Sequence, residues 1–115
     1  MRKIPVIALK NKSKENRFLA ANMDVGDWSD PELDVALDDI GNAFLIWRKD
    51  LTQPTNDDLE DVKRGSIQHK KYMIEKYGKD AIVSYDVEEW LKYYEPIYLE
   101  ITKEQFEIAK GNAEL

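Results

Sequence analysis

Seven carboxylates fall between residues 24 and 39, at Asp24, Asp27, Asp30, Glu32, Asp34, Asp38 and Asp39, with no lysine or arginine among them. Closely spaced acids can ligate a hard cation, pass protons, or present a negative field to a basic partner. Calcium ligation fits the spacing poorly. Asp24, Asp27, Asp30 and Asp34 are separated by three, three and four residues, whereas an EF-hand loop needs oxygen donors at alternate positions and a glycine at the sixth. Pairing for acid–base work carries no information, because with 23 acids in the chain some pair is always close. A metal-dependent hydrolase built on Asp24, Asp27, Asp30 or Glu100 stands as an alternative of a different class. Glu100 with Lys103 has a nuclease flavour, but the familiar Glu-x-Lys spacing is one residue shorter.

Other chemistry is scarcer still. His69 is the single histidine, so a zinc site with two or three histidines is excluded by count. On a helix it neighbours Ser66, yet no Gly-x-Ser-x-Gly elbow surrounds any serine. Cysteine is absent, which removes disulfides, thiolate clusters and cysteine nucleophiles. The five glycines are isolated, so no phosphate loop is present. No catalytic residue, cofactor or resident metal is expected, and the chain reads as a non-enzyme.

Charge then becomes the strongest signal. The chain carries a net −6, distributed unevenly: residues 1–17 hold six cations and one acid, and residues 18–47 hold the seven acids and no cation. An acidic pI near 4.8 opposes direct nucleic-acid contact. The 24–39 acids are the candidate partner-binding surface, joined by Tyr93 and Tyr98, which fall outside the buried stripe of their segment; exposed tyrosines bring large contact area at small rotamer cost. The expected function is a small acidic binding module acting through protein–protein interaction. One variant is a phage-encoded inhibitor that mimics nucleic acid and occupies a basic nucleic-acid-binding protein.

These residues must be positioned by elements that the sequence also announces. Residues 3–9 are a short apolar run bounded by lysines, a strand placed toward a sheet edge by Pro5, with a hairpin partner in 17–25. Ser29, Asp30, Pro31 and Glu32 signal a helix start, and apolar residues at steps of three and four carry the helix over 31–48. A competing reading stops that helix at Gly41 and makes 43–49 a strand. Thr55 with Asp58 opens a helix over 56–77, passing through or breaking at Gly65. Residues 81–85 are a strand candidate. Asp86 with Glu89 opens a helix over 87–94 that Pro96 stops, residues 97–101 alternate as a half-buried strand, and Thr102 with Gln105 opens a last helix over 103–110 ending at Gly111.

Strands at both ends with helices between them give an α+β class: a small, mainly antiparallel sheet covered on one face by about four helices. Length makes residues 1–115 one globular domain. The apolar run near the start is too short for a signal peptide, and nothing approaches a membrane span, so the chain is placed in the cytoplasm with no membrane partner. Lysine, isoleucine, asparagine and tyrosine usage without cysteine points to a bacterial or phage source.

Overall fold

The apolar residues 4–9 build β1 (Ile4–Asn11), the strand around which the rest is arranged. Residues 3–21, 34–81 and 85–113 are described, in a computed structural model of the chain. The further elements are β2 (Arg17–Leu19), β3 (Asp34–Ala36), a 3-10 helix (Leu37–Asn42), β4 (Leu45–Ile46), α1 (Asn56–Tyr77), α2 (Val87–Tyr93), β5 (Tyr94–Ile101) and α3 (Lys103–Ala113). All strand pairs are antiparallel, giving the α+β class expected from the sequence.

β1 is central, where the sequence reading put it toward an edge. It pairs along its full length with β5, from Ile4 opposite Ile101 to Asn11 opposite Tyr94. Because β5 takes the whole of one edge, β2 and β4 divide the other, at Lys10 and at Ile7 with Ala8. Both prolines fit this arrangement. The Lys12 amide donates to the Tyr93 carbonyl at 3.0 Å, which sets the alternation so that even-numbered β1 residues bond β5. The missing donor of Pro5 therefore faces away from β5, beyond the end of β4, and that of Pro96 faces the free edge of β5.

A strand buried on both faces needs continuous apolar residues, and β1 supplies them. On one face Ile4, Val6 and Ala8 pack with Phe18, Ile40, Leu45, Ile101, Phe106 and Ala109, beneath α3 and the 3-10 helix. On the other, Ile7 meets Ile46 and Leu59 of α1, and Leu9 meets Leu19, Val87 and Trp90 of α2. Helices thus cover both faces of the sheet, not one.

The largest departure is the helix expected over 31–48. Residues 31–33 lie outside the described residues, and 34–48 form β3, the 3-10 helix and β4 instead. The helical spacing is real but the residues serve two faces: Ile40 and Ala43 pack under α3, Phe44 packs under α2, and Leu37, which a continuous helix would bury, is 48% exposed. The open edge of β1 recruits Leu45 and Ile46, and the Phe44 amide donates to the Leu19 carbonyl at 2.7 Å. Tertiary pairing overrides local propensity here. The competing reading anticipated a strand after Gly41, although Gly41 is no left-handed cap; its backbone is pressed against α3.

The other boundaries follow local capping. In α1 the Thr55 amide donates to the Asp58 carboxylate at 2.6 Å, and Gly78, at φ 87°, ends the helix with its amide on the Ile74 carbonyl. Asp86 accepts from the Glu89 amide at 3.2 Å and Thr102 from the Gln105 amide at 3.2 Å. α3 runs past Gly111 to Ala113, because the Asn112 amide holds the last turn to the Gly41 carbonyl at 3.2 Å. For 81–85, Ala81 and Tyr85 are not in a strand and 82–84 lie outside the described residues. α1 passes unbroken through Gly65, which is exposed with nothing within 4 Å of an added Cβ. Gly65→Ala should therefore raise stability by about 0.5–1 kcal/mol, read as a higher urea midpoint at unchanged m-value; an unchanged or lower midpoint would contradict it.

Candidate functional site

Of the seven acids, Asp24, Asp27, Asp30 and Glu32 lie outside the described residues. Asp34 points inward and is 7% exposed. Its carboxylate accepts from the Asn11 amide at 2.8 Å and from the Tyr94 hydroxyl, and its carbonyl accepts from the Arg17 guanidinium at 2.7 Å. Pairing of β3 with β2, which sets Leu19 opposite Asp34, brings the carboxylate to the end of β1, where buried charge needs donors. Asp34 is thus a joint between β1, β3 and β5, a correction to its place on an outward acidic surface. Asp38 and Asp39 are exposed and make no ion pair among the described residues. Among the described residues no N-terminal cation pairs with them: Lys10 pairs with Glu95 at 3.8 Å, and Lys12 donates to the Leu91 carbonyl at 3.1 Å. Tyr93 and Tyr98 are exposed, at 61% and 60%. Tyr93 ends α2, and Tyr98 lies in β5 opposite Ile7.

Burial of Tyr94, then its hydrogen bond to Asp34 and the charge of that carboxylate, push its phenol well above the usual tyrosine range. A raised folded-state value means that the native state holds this proton more tightly than the unfolded chain. The contribution is complete below about pH 10 and is lost as pH rises further. Tyr94→Phe should flatten the alkaline loss of stability relative to wild type, while costing about 1–3 kcal/mol at neutral pH because a buried carboxylate loses a donor. Denaturant melts at a series of pH values check both; identical alkaline slopes would refute the first. Tyr85 is also shifted upward by burial and remains in both proteins.

The serine and histidine of α1 are not assembled for nucleophilic chemistry. Ser66 is 1% exposed; its hydroxyl donates to the Lys63 carbonyl at 2.9 Å and accepts from the Val87 amide at 3.2 Å. It thereby satisfies an otherwise free amide at the start of α2 and joins the two helices. His69 is exposed and stands edge-on to Tyr85, with ring centroids 6.2 Å apart. Among the described residues no three of histidine, aspartate and glutamate are grouped to hold a metal ion, and no helix is long and apolar enough to cross a membrane. A hollow of about 330 Å³ lies beside α3, lined by Ile4, Leu51, Lys103, Phe106, Glu107 and Lys110.

A surface missed by the sequence reading is the C-terminal half of α1. At 1.5 Å per residue this helix is about 33 Å long, more than the 30 and 26 Å short dimensions of the molecule. Leu59, Val62, Ser66, Met73 and Tyr77 share one stripe by helical spacing. The stripe is buried at Leu59 and Ser66, then runs into the open: Tyr77 is 60% exposed, with Ile74 at 41% beside it, while Tyr72, at 54%, lies on another side of the helix. The Lys76 ammonium donates to the Tyr72 hydroxyl at 3.1 Å and lies 5.4 Å from the centre of the Tyr77 ring. Residues 63–79 hold six cations, Lys63, Arg64, Lys70, Lys71, Lys76 and Lys79, against Glu75 alone. That charge run was visible in the sequence; the exposure of the stripe was not. No protein-family model, curated protein or solved structure matches the chain.

Proposed function

We propose that this chain is a small non-catalytic module that binds another protein, with the exposed C-terminal half of α1 as its contact surface. The observation that carries this is the emergence of the α1 apolar stripe at its C-terminal end, leaving Ile74 and Tyr77 exposed on one side of the helix, with Tyr72 exposed on another. Clustered exposed apolar side chains rimmed by polar ones mark interaction sites, and tyrosines are favoured anchors in them. The helix is held rigidly at its root by Ser66 on the Val87 amide and by Lys70 on Asp86 at 3.0 Å. Docking it costs little ordering entropy. The acids Asp38 and Asp39 and the exposed Tyr93 and Tyr98 offer further contact sites, on other elements.

The test is capture from native-cell extract on immobilised wild type and on a variant carrying Tyr72→Ser, Ile74→Ser and Tyr77→Ser. Proteins retained by wild type should be lost from the variant while its thermal melt remains cooperative. A retained set that the three substitutions leave unchanged would refute this surface.

A further inference from the structure

Resting on the reading just proposed, we infer that the partner is an acidic protein presenting an apolar groove, into which α1 lays Ile67, Ile74 and Tyr77 with Lys63 and Lys71 beside them. Ile67, Ile74 and Tyr77 recur at intervals of seven and three, the anchor spacing of a helix seated in a groove. Lys63, Lys70 and Lys71 flank them on the same side of the helix. Lys70 is committed to Asp86, whereas Lys63, Lys71 and Lys79 make no ion pair among the described residues.

Charge and geometry separate this partner from the others. A second copy docked end to end would set six cations beside six, a like-charge juxtaposition that opposes association. A single-stranded nucleic acid would need successive tyrosine faces on one side for stacking, and Tyr72 and Tyr77, five residues apart on α1, lie on different sides of the helix. An anionic bilayer would attract the helix end, but the stripe is only three or four residues long and the chain as a whole carries −6. An acidic groove meets both the apolar stripe and the cations set along it at once.

The defined probe is a synthetic amphipathic helical peptide with a leucine stripe flanked by glutamates, titrated into the isotopically labelled full chain. The same leucine stripe flanked by lysines, an oligothymidylate and phosphatidylserine vesicles serve as comparisons. The glutamate peptide should bind with amide shifts confined to residues 67–79 and should weaken as salt is raised. Lys71→Glu with Lys79→Glu should cut its affinity about tenfold or more. If both peptides bind alike and Ile74→Ser with Tyr77→Ser abolishes both, the protein-contact reading stands and the acidic partner is refuted. Tighter binding of the oligonucleotide or the vesicles likewise refutes it. If neither peptide shifts residues 67–79, the acidic partner and the α1 contact surface fall together.

Discussion

Gly41→Ala is expected to destabilise the chain by about 3 kcal/mol, the upper end of overpacking costs. An added Cβ would stand 2.6 Å from the Gln105 carbonyl oxygen, 2.7 Å from Gln105 Oε1 and 2.9 Å from Ile108 Cβ. The first of these belongs to the α3 backbone, so relief requires moving the helix and not merely turning a side chain. The same shift would break the bond from the Gly41 amide to Gln105 Oε1 at 2.7 Å and that from Asn112 to the Gly41 carbonyl. Against a typical total stability of about 5–15 kcal/mol, such a loss is plain in a urea titration followed by far-ultraviolet circular dichroism. Gly65→Ala is the internal control, because the same substitution there meets empty space. A Gly41→Ala midpoint equal to wild type would refute the close approach of the 3-10 helix to α3.

The second large effect lies on the opposite face of the sheet. Trp90 is 8% exposed and stands edge-on to Phe44 at 5.2 Å and to Tyr85 at 5.6 Å, beside Leu9, Leu19 and Val87. Trp90→Ala should cost about 3–5 kcal/mol, lost transfer energy plus the cavity left behind. Trp90→Phe, which keeps an aromatic ring in the site, should recover a large part of it. If Trp90 and Phe44 touch as described, alanine substitutions at the two positions should be non-additive by about 0.5–1.5 kcal/mol in a double-mutant cycle. Additive losses would mean that the two rings are not partners.

α1 and α2 were legible because their signals are local. Thr55 with Asp58 and Asp86 with Glu89 satisfy amides within one turn, and Gly78 supplies the backbone angle that ends α1. Val87 and Trp90, three residues apart on one side of α2, have the spacing of a buried stripe, and both are buried. β5 was legible in part, from the alternation of Ile97, Leu99 and Ile101, but it begins three residues earlier, at Tyr94, because full-length β1 is there to pair with it. The acids were legible as charge and not as surface. The fate of Asp34 depends on Asn11 and Tyr94, 23 and 60 residues away, and no local pattern carries that information.

Composition, spacing and capping chemistry were enough to establish the α+β class, the bounds of the long helix, the absence of cysteine chemistry and the segregation of charge. Folding alone determined that β1 lies at the centre with helices on both faces, that residues 34–36 and 45–46 enter the sheet, and that the C-terminal half of α1 is left largely exposed. The physical reason is the range of the interactions. A cap or a buried stripe is decided within a turn or two of chain, while an open strand edge, a close backbone approach or the end of a packing surface exists only once distant segments have met.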